Sequence, residues 1–237
     1  MPRSPERLPR FSPGQRWIHT GVGLLTGICI VTAAMLYFGP ISTLVGRRDL
    51  VETVHYSSGL LVPVPLLIGL VASADFRADV RRLNRFLPGD WAWLRSPQRR
   101  SGWFPSGKFN AGQKLNSAFS LGAIVILLVT GLMLHYFSLF PDSIRTGATF
   151  VHDLTAAALA IVAAGHVWMA LKDPEARRGL RTGYVTREWA EAEHALWAAE
   201  LTSADSADSA DSADSADSAK DPDAGPTDPG AAPPARS

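Results

Sequence analysis

Long apolar segments alternate with charged segments along this chain. Four of them hold almost no formal charge: 17–38, 54–74, 115–137 and 150–171. A helix needs about 20 residues to cross roughly 30 Å of hydrocarbon, and each segment is at least that long. The pattern predicts an all-α membrane protein built as a four-transmembrane-helix bundle, and it excludes a soluble globular domain.

The first and second segments each have an unusual feature. The first follows four arginines, as a secretory signal would, but it is too long for the apolar part of a signal and lacks a convincing cleavage site. We therefore interpret it as a retained helix. The second contains Pro63 and Pro65, which predict a kink, because proline removes a backbone donor.

The connecting segments differ in positive charge. Lys and Arg number four before the first span, then two, nine and one in the successive loops, and five in residues 172–187. Positive loops stay in the cytoplasm. This alternation predicts a multi-pass protein of the cell membrane with both termini cytoplasmic.

Hydrophobic residues make up 46% of the chain, but this value averages regions of very different composition. We expect a cytoplasmic N-terminal segment at 1–16, the four-helix domain at 17–171, a cytoplasmic amphipathic segment at 172–201 and a disordered tail at 202–237. Residues 186–201 are predicted to form a short amphipathic helix, with Trp189 and Leu196/Trp197 able to rest on the membrane surface or a partner. The tail begins with five Ser-Ala-Asp repeats, which bury too little apolar surface to fold.

Cysteine is nearly absent. The single Cys29 excludes a disulfide framework, a Cys-ligated iron–sulfur cluster and covalent CxxCH haem attachment. Any metal chemistry must use other ligands.

Five of the six histidines lie within the apolar segments, where an ionisable side chain is costly without a partner, and four of them lie at matching depths. His55 and His152 both lie near the outer face, and His19 and His166 both lie on the inner side. His166 follows His152 by fourteen residues, so one helix presents both rings on nearly the same face, roughly 21 Å apart. Taken singly, each histidine is more simply explained as a neutral ring hydrogen-bonded to a neighbouring helix.

Taken together, the pairs suit two low-spin b-type haems, whose iron binds an imidazole on each side. A small residue lies four positions after each of the four histidines, as a flat porphyrin requires: Gly23, Gly59, Ala156 and Ala170. His135 could replace His55 or His152, but we interpret it as an interfacial residue. We interpret His194, among glutamates, as solvated.

Several motifs resemble one family. They are GKFNAGQK (Gly107–Lys114), LLVTG (Leu127–Gly131), HDLTAAALAIVAAGH (His152–His166) and GLRTGYVTREWA (Gly179–Ala190). Over about residues 15–200 the chain resembles the gamma subunit of membrane-bound formate dehydrogenase, a four-helix dihaem cytochrome b. The resemblance implies the same ligand pairs, His55 with His152 and His19 with His166.

The resemblance also implies a site for menaquinone or another quinone beside the inner haem, formed by Asn110, Gly112 and Gln113 near His166. Amide donors suit a quinone carbonyl, and glycine lets the ring approach the backbone. The alternative is structural: Asn110 caps the third span. Both roles are compatible.

The expected function is electron transfer. By resemblance, an iron–sulfur subunit and a molybdenum- or tungsten-containing catalytic subunit deliver electrons on the outer side, and quinone accepts them on the cytoplasmic side. The chain alone would not oxidise the substrate. Membrane lipid is a further expected partner, and nucleic acid is not expected. The alternatives are a dihaem subunit of a hydrogenase or another respiratory oxidoreductase and, in a different class, a haem-free membrane anchor or transporter.

Overall fold

The computed structural model describes residues 6–97, 104–204 and 206. Most of the predicted tail lies outside these residues. Within them, four helical stretches are long and apolar enough to cross a membrane, as the sequence predicts. They are Pro13–Tyr37, Arg48–Ala72, Ala111–His135 and Asp142–Lys172.

The first, third and fourth stretches are single helices, α1 (Pro13–Tyr37), α7 (Ala111–His135) and α8 (Asp142–Lys172). The second is interrupted at Val62, between α3 (Arg48–Leu61) and α4 (Pro63–Ala72), where proline was expected to kink it. α1 packs along α3 and α4, and α7 packs along α8. Contacts of α3 with α7 and of α1 with α8 close the bundle.

All four stretches begin before the apolar segments that predict them. Ser12 and Asn110 each form a capping box, with Gln15 and Gln113 respectively, and these caps lie in polar sequence. The last stretch starts at Asp142, although the apolar segment starts at 150. Hydropathy marks only the part of a helix that faces hydrocarbon, so it misses the polar first turns.

A small layer covers one end of the bundle. We call this the inner end, and the opposite end the outer end. Strand β1 (Arg7–Pro9) pairs antiparallel with β2 (Tyr184–Thr186), with Leu8 opposite Val185. The connection between α1 and α3 contains α2 (Gly39–Val45). Among the described residues, the other α-helices are α5 (Ala74–Leu83), α6 (Pro88–Arg95), α9 (Pro174–Thr182), α10 (Arg187–Glu193) and the helical residues 195–204.

The inner layer has its own apolar core, formed by Leu8, Val185, Ala190, Trp197 and Ala198. The predicted helix over 186–201 is broken at His194, which ends α10. Trp197 is 2% exposed, so the expectation that it rests on a membrane surface was wrong. Its ring fills a core that the strand pairing creates, which a local pattern does not reveal.

Candidate functional site

His55 on α3 and His152 on α8 face each other near the outer end of the bundle. Their ring centroids are 6.3 Å apart, and the ring planes cross at 68°. The two residues belong to different helices and are far apart in sequence. The structure therefore brings together the outer pair that the sequence predicts.

His19 on α1 and His166 on α8 form the matching pair near the inner end. Their ring centroids are 6.1 Å apart, with an interplanar angle of 46°. α8 thus supplies one histidine to each pair, and α1 and α3 supply the others. No group of three or more His, Cys, Asp or Glu side chains that could hold a metal ion occurs within residues 6–97, 104–204 and 206.

Both separations fit one metal ion between two imidazoles. A metal–imidazole bond of about 2 Å and about 1 Å from nitrogen to ring centre place two axial rings roughly 6 Å apart. The observed values are 6.3 and 6.1 Å. A Cβ built at Gly23 or Gly59, one turn after a histidine of each pair, meets no atom within 4 Å. The facing imidazoles and the open space at Gly23 and Gly59 therefore fit a flat group whose metal ion both rings of a pair would bind.

Two threonines contact the outer histidines, and sequence reasoning gave neither a role. Thr32 Oγ1 lies 2.9 Å from Nδ1 of His55, and Thr130 Oγ1 lies 2.8 Å from Nδ1 of His152. Each threonine belongs to the helix packed against its histidine's helix. Thr130 belongs to the LLVTG motif, so its position in that motif could have indicated a role. No local sequence feature distinguishes Thr32.

His135 takes no part in either pair. Its ring stacks on Tyr56 with centroids 3.7 Å apart and planes 9° from parallel, and its edge meets Tyr136. His135 is exposed, at the end of α7. This position agrees with an interfacial residue, and its exclusion from ligation stays a prediction.

The predicted quinone turn forms the start of α7. Asn110 Oδ1 accepts from the backbone N–H of Gln113 at 3.0 Å, and Gln113 Oε1 accepts from that of Asn110 at 2.9 Å. A Cβ on Gly112 would lie 3.2 Å from Cη2 of Trp93, so only glycine fits there without displacing the indole. Among the described residues, no hydrogen bond or ring contact joins this turn to His166.

The capping alternative is thus present in the structure. The side-chain oxygens of both amides are occupied by the cap, which leaves the amide nitrogens of Asn110 and Gln113 as the groups that could donate to a ligand. Both roles remain compatible, as the sequence suggested.

The two lysines of the GKFNAGQK motif anchor the segment that connects the second and third spans. Lys108 Nζ donates to both carboxylate oxygens of Asp79 at 2.8 Å, and Asp79 also accepts from Gln15 Nε2 at 2.7 Å. Burial raises the pKa of Asp79 despite the opposing charge of Lys108. Burial likewise lowers the pKa of Lys108, although Asp79 acts to raise it. Desolvation outweighs attraction at both partners of this pair.

His194 joins the inner layer to the segment that precedes the Asn110 turn. Its Nδ1 donates to the carbonyl of Gly107 at 2.7 Å, and Nη2 of Arg10 donates to its Nε2 at 3.1 Å. His194 is 1% exposed, so the expectation of a solvated residue was wrong. Burial, followed by the charge of Arg10, lowers the pKa of His194 to about 3. The ring is therefore neutral at physiological pH.

Arg10 is the centre of this layer. Its guanidinium lies 4.7 Å from the ring centroid of Trp189 and 5.2 Å from that of Trp197, and Nη2 also donates to the carbonyl of Lys108. Burial lowers the pKa of Arg10 to about 10. Arg10, just after β1, and His194, between the C-terminal helices, thus hold Gly107 and Lys108, which lead into the Asn110 turn.

Several known proteins are similar to this chain. The cytochrome b556(Fdn) subunit of nitrate-inducible formate dehydrogenase from Escherichia coli K12 is 29% identical over 102 residues, 42% of this chain and 47% of that protein. The formate dehydrogenase cytochrome b556 subunit of Haemophilus influenzae is 25% identical over 169 residues, 69% of each chain. The cytochrome b556(fdo) subunit from E. coli K12 is 28% identical over 99 residues, 40% of this chain and 47% of that protein. The chain thus spans about half the length of the E. coli relatives it matches.

A family profile covers more of the chain. The profile of prokaryotic cytochrome b561 matches residues 7–182, from β1 to the end of α9, and so includes all four spans and both histidine pairs. Haem b is the cofactor that this family implies. The chain therefore belongs to the prokaryotic cytochrome b561 family and is an integral membrane cytochrome b.

Proposed function

We propose that this chain is the membrane cytochrome b subunit of a formate dehydrogenase complex. It receives electrons at the outer end of the bundle and delivers them to quinone at the inner end. The observation that carries the proposal is the presence of two facing histidine pairs, 6.3 and 6.1 Å between centroids, at opposite ends of one bundle. The names of the relatives supply the partner enzyme.

The two histidine pairs bind separate haems, one at each end of the bundle. His55 and His152 hold one haem, and His19 and His166 hold the other, so the chain binds two haems without covalent attachment. Haem b supplies reversible one-electron chemistry. Because α8 carries a ligand of each pair fourteen residues apart, its rise of about 1.5 Å per residue separates them by roughly 21 Å along the helix axis.

Quinone binds at the inner end, beside His166 and the turn of Asn110, Gly112 and Gln113. An amide N–H can donate to a quinone carbonyl and strengthens as negative charge develops on that oxygen. Reduction to quinol takes two electrons and two protons, and the protons come from the inner side. The carboxyl group of Asp79 also lies at the inner end of the bundle, and burial raises its pKa.

The distribution of positive charge supports an orientation in which both termini and the segment between the second and third spans lie in the cytoplasm. Formate oxidation outside yields carbon dioxide, one proton and two electrons. The electrons cross inward and the quinone takes up protons inside. Each charge moved against 100 mV stores about 2.3 kcal/mol, so the arrangement couples the reaction to the membrane potential.

The partners are an iron–sulfur subunit at the outer end and, beyond it, a molybdenum- or tungsten-containing catalytic subunit. A hydrogenase or another oxidoreductase could dock to a similar bundle, but the relatives named above are all formate dehydrogenase subunits. A haem-free anchor or transporter would not require two facing histidine pairs.

The test is a haem assay on the purified chain and on its membrane complex. A pyridine haemochrome assay should give two haems b per chain. His55→Ala and His152→Ala should remove the same spectral component, and His19→Ala and His166→Ala the other. His135→Gln is the matched control and should keep both.

Formate should then reduce both haems of the wild-type complex, and added menaquinone should reoxidise them. One haem per chain, or loss of a haem in His135→Gln, would overturn the assignment of the pairs. Two haems that formate leaves oxidised in the intact complex would overturn the partner.

A further inference from the structure

Each histidine of the outer pair has a threonine on its Nδ1 atom. The distances are 2.9 Å for Thr32 with His55 and 2.8 Å for Thr130 with His152. The first contact joins α1 to α3 and the second joins α7 to α8, so the arrangement occurs twice, in separate helix pairs. Both threonines are 7% exposed.

The backbone fixes the direction of these hydrogen bonds. Thr32 Oγ1 lies 2.7 Å from the carbonyl of Ile28, and Thr130 Oγ1 lies 2.7 Å from the carbonyl of Ile126. A carbonyl has no proton, so each hydroxyl must donate to its carbonyl. The threonine oxygen then accepts from the histidine, which places the imidazole proton on Nδ1 and leaves the lone pair on Nε2. This tautomer is the one that binds metal through Nε2.

The inner pair lacks this support. Within the described parts of the chain, neither the His19 ring nor the His166 ring makes a hydrogen bond, and their contact is with each other. Yet the two pairs have nearly the same separation. The threonines are therefore a feature of the outer site only.

We propose that Thr32 and Thr130 are positioning residues for the outer haem. This proposal rests on the haem ligation proposed above. The threonines hold the two rings in the Nε2-binding tautomer and, by accepting a hydrogen bond from Nδ1–H, make the imidazoles more electron-rich. Richer ligands stabilise ferric iron, so the outer site is harder to reduce than it would be without them. A lower potential at the outer site than at the inner site favours electron movement inward.

The experiment uses the intact complex in detergent and a redox titration that follows the two haem components optically. Thr32→Val and Thr130→Val keep the side-chain shape and remove the hydroxyl. We expect each to raise the midpoint potential of the outer haem, changing its ratio of reduced to oxidised form at fixed potential by up to about tenfold, or about 59 mV for one electron. The inner haem should not shift.

The chain offers matched controls. Thr53 on α3 and Thr149 on α8 also donate to the carbonyl four residues earlier, at 2.9 and 3.0 Å, but they are exposed and make no hydrogen bond to a histidine among the residues that the structure describes. Thr53→Val and Thr149→Val should leave both potentials unchanged. Thr32→Ser and Thr130→Ser keep the hydroxyl and should retain the wild-type potential.

Two haems with an unchanged outer potential in both valine variants would overturn the proposal. If a valine variant loses the outer haem, the serine variant decides: retention at the wild-type potential supports the hydroxyl, and loss in serine as well overturns it. A wild-type chain without a second haem would instead refute the proposed ligation, so the two failures are distinguishable.

Discussion

Lys114 and Asp90 form a buried ion pair, with Nζ 2.6 Å from Oδ2 and side chains 5% and 9% exposed. Lys114 also donates to the carbonyl of Arg85 at 2.9 Å. The first turn of α7 is thus tied to α6 and to the chain preceding it. The pair holds the Asn110 turn from one side, while Lys108 and Asp79 hold the residues before it.

Lys114→Met should lower the free energy of unfolding by about 3–5 kcal/mol, because it leaves Asp90 buried without a cation. Thermal denaturation in detergent, followed by haem absorbance, measures the loss. Lys172→Met, at an exposed position on α8, is the control and should change little. The double variant Lys114→Met with Asp90→Leu should recover part of the loss. Equal stability of the two single lysine variants would contradict the role of the pair.

Asn110 allows its two roles to be separated. Asn110→Ala removes both the cap and the amide, whereas Asn110→Asp and Asn110→Ser keep a capping oxygen and lose the amide donor. If the amide binds quinone, all three should slow haem reoxidation by menaquinone in stopped-flow measurements normalised to haem content. Only Asn110→Ala should also lose about 1 kcal/mol of stability. Wild-type reoxidation rates in the Asp and Ser variants would leave Asn110 as a cap alone.

The inner layer should be sensitive to acid through His194. Its pKa in the folded chain is about 3, below the value of about 6.5 for an unfolded histidine. The unfolded state therefore binds the proton first, so the stability is fully present above about pH 6.5 and falls as the pH drops toward 3, by on the order of a few kcal/mol. Tryptophan fluorescence and limited proteolysis should report opening of the layer.

His194→Gln isolates this effect. A glutamine amide can donate to the carbonyl of Gly107 and accept from Arg10, but it does not titrate in this range. Asp79, whose raised pKa gives the opposite slope, is present in both proteins, so the difference between them belongs to His194. Parallel pH profiles for the two proteins would refute the assignment.

The predicted orientation can be tested with single cysteines in a Cys29→Ser background. Ser138 lies in the short segment after α7 at the outer end, and Ser203 lies at the inner end, and both are exposed. A membrane-impermeant maleimide should label Ser138→Cys in intact spheroplasts and Ser203→Cys only after lysis. The reverse pattern would invert the direction of electron transfer proposed here.

The parts of the molecule that sequence predicts well are those with a local physical signal. Four spans follow from apolar length, and the histidine pairs follow from depth and the fourteen-residue spacing on α8. The predictions for His194 and Trp197 were wrong because their burial depends on Arg10 and on a strand pairing between the N-terminal segment and the segment after the fourth span. Thr32 was missed for a similar reason, since its partner lies on another helix and threonine is ordinary in a membrane span.

The pairing of β1 with β2 bears on how the protein is made. Arg7–Pro9 leaves the ribosome first, but Tyr184–Thr186 follows only after all four spans have been synthesised. The two strands meet only if an even number of helices has crossed the bilayer. A chain with one span left uninserted would leave Leu8 and Trp197 on opposite sides, each without its core. The sheet can therefore form only in a chain whose β1 and β2 segments have reached the same side of the membrane.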